Sequence, residues 1–269
     1  MALKIFIGLL ATQILFLTGT IPTVFFQKDT ITFYDIGQGD AIHIRTKSGF
    51  DMLIDGGPGT QTLSQKLTQD MPWYDSTVDV VMATHFDADH ITGFAQVLDT
   101  YKVQCVILNQ QVPETELAKN LIKKIESKHI PIKHMKEGER LKLSDGIMMT
   151  FSNTQVDEKA MSNDHSIVVR LVSPQKTFLL TGDLEQSQEQ KLIDARIFLK
   201  VQVLKAGHHG SKTSSSAHFL DATDPEEAVL SFGLNNKYGH PNKETVDALT
   251  KRGVRLRKTV PEGDIVYVL

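Results

Sequence analysis

Residues 84–90 read Thr-His-Phe-Asp-Ala-Asp-His, placing two histidines and two aspartates within six consecutive positions. They follow an apolar run, 78–83, that reads as a buried strand. This junction constrains the fold more than any other stretch. Four such groups at the mouth of a strand would each cost several kcal/mol to bury unpaired. They are therefore not packing residues. Imidazole nitrogens with carboxylate oxygens suit a borderline divalent ion, Zn²⁺, Mn²⁺ or Fe²⁺, better than Ca²⁺ or Mg²⁺. The plain alternative, a solvated acidic loop with incidental histidines, is the weaker reading because Asp or His stands at every productive position.

Three further strand ends carry the same chemistry. Asp183 follows the apolar run 178–180, His208 and His209 follow 201–204, and His240 lies in a Tyr-Gly-His-Pro turn ahead of a helix. Loops at strand ends on a rigid scaffold are where functional groups collect. Two ions about 3.5–4 Å apart need a bridging carboxylate, for which Asp183 is the natural candidate. Taken singly, Asp183 would also serve as a helix N-cap. Asp55, opening the Gly-rich loop 55–59, is either a turn-former or an orienter of a ligand.

Around these points the chain alternates strands and helices. Strands are expected at 30–36, 41–45, 52–54, 78–83, 103–108, 130–132, 139–143, 147–151, 167–172, 177–180, 201–204, 228–232, 254–257 and 265–268. Helices are expected at 60–69, 92–100, 113–128, 185–195, 217–222 and 243–251. The interleaving predicts an α/β protein, and the many hairpin-linked short strands predict mixed sheets. A net charge of -3 over 269 residues does not announce nucleic-acid binding from bulk charge. The single cysteine, Cys105, excludes a disulfide framework and a thiolate-rich zinc site. Residues 5–26 carry no charge, a length that suits a transmembrane anchor and contains a signal-length core. The organisation expected is thus an anchor or signal segment over 1–28 and a folded domain over 29–269. With Lys4 inside, that domain would face outward from a bacterial cell membrane, single-pass, or be secreted.

The stretches Asp35-Ile36-Gly37-Gln38-Gly39-Asp40-Ala41, Leu53-Ile54-Asp55-Gly56-Gly57, Thr84–His90, Leu180–Asp183, Leu204–Ser211 and Gly239-His240-Pro241 together resemble a metallo-β-lactamase-fold hydrolase, and more narrowly the hydrolase domain of the ComEC/Rec2 competence proteins. The resemblance implies an αββα sandwich of two mixed sheets with a dinuclear site at their edges. It implies that His85 and Asp87 hold one divalent ion, and that Asp89, His90 and one of His208 and His209 hold a second. Asp183 would bridge them, and the ions would be Zn²⁺ or Mn²⁺. Asp87 stands where the wider superfamily has histidine, a harder oxygen ligand that shifts preference toward Mn²⁺. Near the superfamily's third histidine this chain has Asn163-Asp164-His165-Ser166, where His165 is a substitute ligand or a structural residue.

The mechanism implied is hydrolysis by water activated on the ions. Asp89 would orient the nucleophile, and His240 or the second histidine of the pair would protonate the leaving group. The leading substrate expectation is a phosphodiester, DNA above all, with a separate uptake-channel protein as partner. Arg252, Arg255, Arg257 and Lys258 are a candidate basic edge for it, and Trp73, Tyr74 and Tyr238 are candidate aromatic contacts. Trp73 and Tyr74 would either cover the site edge or serve in packing. Lys212 is a phosphate contact or a solvated lysine. The alternatives are a hydrolase of another ester or amide, such as a cell-wall phosphodiester or a lactam, and a metal-binding module without catalysis.

Overall fold

Alternation along the strands builds the molecule. The computed structural model describes residues 28–152 and 162–269. One sheet has the order β14-β1-β2-β3-β4-β5-β6, formed by β1 (Thr30–Phe33), β2 (Ile42–Arg45), β3 (Asp51–Ile54), β4 (Thr77–Met82), β5 (Lys102–Ile107), β6 (Ile132–Lys133) and β14 (Ile265–Val268). The other has the order β13-β12-β11-β10-β9-β8-β7. Its strands are β7 (Arg140–Ser144), β8 (Ile147–Ser152), β9 (Val168–Val172), β10 (Thr177–Leu180), β11 (Val203–Lys205), β12 (Glu227–Leu230) and β13 (Arg255–Lys258). Both sheets are mixed, with parallel pairing from β3 to β6 and from β10 to β13 and antiparallel pairing elsewhere.

Every second residue faces the partner sheet. Met52, Ile54, Val80 and Met82 from the first sheet meet Phe151, Val169, Phe178, Leu180, Val203 and Val229 from the second in one buried cluster. Each such side chain contributes about 1.5–3 kcal/mol by leaving water. The intervening residues face outward and are covered by helices. Leu53, Val81 and Val106 pack under α1 (Thr62–Asp70), α3 (Phe94–Thr100) and α4 (Glu116–Ser127). Leu179, Leu204 and Ala228 pack under α5 (Gln186–Asp194), α6 (Ala217–Thr223) and α7 (Lys243–Lys251). The result is the αββα sandwich.

Two departures from expectation have local causes. The first strand stops at Phe33, because the chain turns through positive φ at Gly37 and Gly39. The helix expected from Thr92 begins one turn earlier, as α2 (Ala88–Ile91), and α3 starts only at Phe94. Between them a Cβ on Gly93 would lie 1.9 Å from the Gly56 carbonyl oxygen, so close approach of the β3 loop interrupts the helix there. Among the described residues, no helix is long and apolar enough to cross a membrane. The segment expected as an anchor, 1–28, lies outside the described residues but for Lys28.

The outer face of the first sheet also buries a polar network. His43 Nε2 lies 2.9 Å from Asp51 Oδ1, and its Nδ1 lies 3.0 Å from the Tyr34 hydroxyl. Arg45 donates to Asp51 Oδ2 at 2.6 Å, and Tyr34 donates to Asp70 at 2.6 Å.

Candidate metal centre

The ends of β3, β4, β10 and β11 converge, and each delivers groups of one chemical kind. From the first sheet come Asp55, Thr84, His85, Asp87, Asp89 and His90. From the second come Asp183, His208 and His209. Asp183 sits at the seam. Its Oδ1 is 3.3 Å from His90 Nε2, and its Oδ2 is 3.3 Å from His209 Nε2, 3.8 Å from His208 Nε2 and 3.9 Å from His85 Nε2. His209 Nε2 is also 3.3 Å from Asp89 Oδ2. Two ligands of a tetrahedral ion at ordinary Zn–N and Zn–O lengths stand about 3.3–3.4 Å apart, so these separations are those of donors around a common cation.

The hydrogen bonds behind the ring nitrogens explain why the inner atoms point at one another. Asp55 accepts from the Thr84 backbone N–H at 2.8 Å, the Thr84 hydroxyl at 2.7 Å and His90 Nδ1 at 2.9 Å. With its proton given to Asp55, Thr84 Oγ1 is an acceptor for His85 Nδ1–H at 3.0 Å. His209 Nδ1 donates to the Ser231 carbonyl at 3.0 Å. Each of the three rings thereby spends Nδ1–H on an oxygen and presents Nε2 inward, the arrangement that fixes tautomer and orientation in metal-ligating histidines. Asp55 is thus both of the things its sequence suggested: a turn residue at φ 57° and the anchor for two of these rings.

His85 Nε2, His90 Nε2, His209 Nε2 and Asp183 Oδ1 are buried and have no hydrogen-bond partner. Buried polar atoms are almost always paired, and four orphans converging on one point mark a place for a cation. The groups His85–His90–Asp183 and Asp89–His90–His209 each bring three donors within 4.8 Å of one another. The residues present therefore fit divalent metal.

Charge agrees with geometry. Burial pushes the Asp183 carboxyl up, but His209 and His90 outweigh it and hold the group well below the usual carboxylate range. Burial pushes His90 and His209 down, while Asp183 and its neighbouring carboxylates raise both well above an ordinary histidine. His85 is held low by burial and by His90. A proton on His90 or His209 occupies the place a cation would take, and metal binding must release it.

The other expected residues lie at the rim. Asp87 is the extended N-cap of α2, with Oδ2 3.9 Å from His85 Nε2 and a side chain 41 % exposed. His208 is a quarter exposed, with Nδ1 3.4 Å from Glu185. His208 and His209 both have left-handed backbones, at φ 47° and 55°, a conformation that costs a non-glycine residue about 1–2 kcal/mol. His240 has its ring centroid 5.4 Å from that of His208, and burial together with His208 and His209 brings its pKa down to about 4. His165 ends a 3-10 turn, Ser162–His165, and is in none of the close donor groups among the described residues. That turn's neighbours do reach the centre: Ser166 Oγ accepts from the Asp183 N–H at 3.2 Å, and Asn163 Nδ2 is 3.4 Å from His208 Nδ1.

Two expectations are corrected. Arg252, Arg255 and Arg257 do not form a free basic edge, because they pair with Asp221 at 2.9 Å, Glu227 at 2.6 Å and Glu262 at 2.5 Å. Trp73 and Tyr74 do not cover the site. They lie in the loop entering β4, whereas the site is at the exit of that strand, about 20 Å away for six residues.

One pair was absent from the site expected from sequence. Lys205 is fully buried, and its ammonium lies 2.8 Å from Asp40 Oδ2, whose other oxygen is 3.5 Å from His209 Nδ1. Burial pushes the Asp40 carboxyl up, but Lys205 and then His209 hold it below the usual range. The Asp40 N–H donates to the Asp89 carbonyl at 3.2 Å, and only glycine fits beside it, since a Cβ on Gly39 would lie 2.1 Å from that oxygen. A lysine inside the apolar run 203–206 was the available signal, because a lysine is rarely buried unless paired.

Residues 51–229 match the model of the β-lactamase superfamily domain. The chain is similar to ComE operon protein 3 of Bacillus subtilis, 27 % identical over 88 % of this chain and 32 % of that protein. It is also similar to competence protein ComA of Neisseria gonorrhoeae, 30 % identical over 89 % of this chain and 32 % of that one. It thus spans about a third of the length of these relatives. Among solved structures, the metallo-β-lactamase fold protein YhfI of Bacillus subtilis superposes with a TM-score of 0.58 at 11 % identity, over 89 % of this chain and 99 % of that one. The chain therefore belongs to the β-lactamase superfamily, as a metal-dependent hydrolase of the metallo-β-lactamase fold and a relative of the ComEC/Rec2 competence proteins.

Proposed function

We propose that this hydrolase cleaves phosphodiesters, as a nuclease acting on DNA outside the cell membrane. The observation that carries the chemistry is the set of four orphaned buried atoms, three histidine Nε2 and Asp183 Oδ1, that face one another. The likeness to competence proteins supports DNA as the substrate and a separate channel protein as the partner. The uncharged run 5–26 supports placement at the membrane.

In this reading His85 and Asp87 would hold one divalent ion, Asp89, His90 and His209 the other, and Asp183 would lie between them. When bound, such ions lower the pKa of water and stabilise charge developing on phosphoryl oxygens. Asp89, with its side chain 28 % exposed, reaches the open side and orients the attacking water by accepting a hydrogen bond from it. Asp55 and the Ser231 carbonyl keep the His90 and His209 rings from turning away. His240, neutral near pH 7, is an N–H donor to the leaving oxygen rather than a standing imidazolium. His208, against the Glu185 carboxylate at the rim, is the alternative carrier of the leaving-group proton.

The test is hydrolysis of single-stranded DNA by the purified full chain, metal-stripped and then given Mn²⁺ or Zn²⁺. The expected result is cleavage that appears with metal and stops with chelator. Metal bound at the centre with no cleavage of DNA or of any simple phosphodiester would overturn the proposal.

A further inference from the structure

Beside Asp89 the surface opens into a cavity of about 300 Å³, within the range of small-ligand pockets. It is lined by Pro58 and Ala88, by Asp89 itself, and by Gln38, Lys237 and Tyr238. It is mostly apolar, yet it adjoins a centre made of carboxylates and imidazoles.

Three details specify what it would hold. The Tyr238 ring is 54 % exposed and stacks on His240, with centroids 5.7 Å apart and planes 22° apart. The stacking fixes the ring in advance. Lys237 places its ammonium 5.1 Å from the centre of the same ring, and no carboxylate among the described residues pairs with it. Gln38 Nε2 is a buried amide donor with no partner, while its Oε1 accepts from Gly233 N–H at 3.3 Å. The turn carrying Tyr238 is rigid because the Asn236 side chain donates to the Gly233 and His240 carbonyls and accepts from the Tyr238 and His240 N–H groups. A half-exposed aromatic ring, a cation resting near it with no carboxylate partner among the described residues, and one unsatisfied amide donor beside a hydrolytic centre match a nucleotide: flat base, phosphate, and a base-edge or sugar acceptor.

We infer that this cavity is a nucleobase subsite, in which the base of a nucleotide next to the scissile phosphate stacks on Tyr238 while Lys237 meets a neighbouring phosphate. The inference rests on the phosphodiesterase reading and adds to it a preference for base-bearing strands. Base–aromatic stacking of ordinary strength corresponds to about 5- to 150-fold in binding.

The test compares kcat/KM of the full chain with Mn²⁺ on a single-stranded oligonucleotide and on an oligomer of the same length built of abasic residues. Wild type is expected to favour the base-bearing strand by about 5- to 150-fold. Tyr238→Ala should collapse that ratio toward one, and Tyr238→Trp should keep it. Taking a ratio cancels any effect transmitted through His240 to the chemistry. A wild-type ratio near one, or a ratio unchanged in Tyr238→Ala, overturns the subsite while leaving the phosphodiesterase reading intact. A strand carrying 2-aminopurine, bound with Ca²⁺ in place of Mn²⁺, reads the stack without chemistry. If wild type cleaves no phosphodiester, quenching lost in Tyr238→Ala upholds the subsite, and absence of quenching overturns it.

Discussion

Two clusters of buried histidine and aspartate lie in this molecule, and they differ in where their hydrogen bonds end. In the network on the outer face of the first sheet, both nitrogens of His43 and both oxygens of Asp51 find partners inside the cluster. At the metal centre the back of each ring is equally well tied, but the front is not: three Nε2 atoms and Asp183 Oδ1 face one another without partners. Burial and residue type are the same in both. Unfilled valence directed at a common point separates a site from a structural network.

The largest test of the contrast is a pair of matched substitutions. Asp183→Asn should abolish metal binding and lower hydrolysis by about three orders of magnitude or more, while the metal-free chain melts close to wild type. Asp51→Asn should do the opposite. It leaves Arg45 and His43 partly uncompensated in the interior, at about 3–5 kcal/mol, so that Tm falls by about 2–4 °C per kcal/mol and the folded fraction keeps its metal stoichiometry. Equal loss of metal by both variants, measured by metal analysis on folded protein, would erase the distinction.

Lys205→Met sharpens it at smaller amplitude. The Asp40–Lys205 pair is buried like the outer network, but Asp40 Oδ1 has no hydrogen-bond partner and lies 3.5 Å from His209 Nδ1, so it belongs to both regions. Its loss should weaken metal affinity by about 10- to 100-fold with the donors unchanged. Asp40→Asn added to Lys205→Met should recover part of that loss by removing the stranded carboxylate. Metal titration of the single and double variants reads the coupling, and additive losses would show that the pair does not position His209.

The smallest effect is in pH. Burial lowers the His43 pKa, but Asp51 and Asp70 more than reverse this and raise it above 6.5. A raised pKa means stability that is fully present below about 6.5 and lost as pH rises through the folded value. Wild type should therefore lose a little stability from about pH 6.5 upward that His43→Gln does not lose, as followed by chemical denaturation at several pH values. Identical slopes for both would break the assignment of charge to His43.

The legibility of the chain follows the same division. Alternation in short strands was enough for an α/β protein with mixed sheets, the αββα sandwich came from the family resemblance carried by the motifs, and the converging residues His85, Asp89, His90, Asp183 and His209 were all visible as chemistry at strand exits. What escaped was pairing across the fold. Nothing local in the run 42–45 says that His43 meets Asp51 and Tyr34. Likewise, nothing in residues 252–257 reveals that each of the three arginines faces a carboxylate. The start of α2 was missed because residues 85–90 read as ligands first, although Asp87 also begins a helix.

Asp183 and His209 ride on one sheet, and His85, Asp89 and His90 on the other, with the buried cluster around Phe151 and Phe178 between them. The 3.3 Å separations that cross from one sheet to the other, Asp183 to His90 and His209 to Asp89, are thus a vernier for the whole sandwich. A slip of one sheet against the other too slight to register in stability would change the spacing of these donors directly. An ion held between them would gauge how well the core is packed.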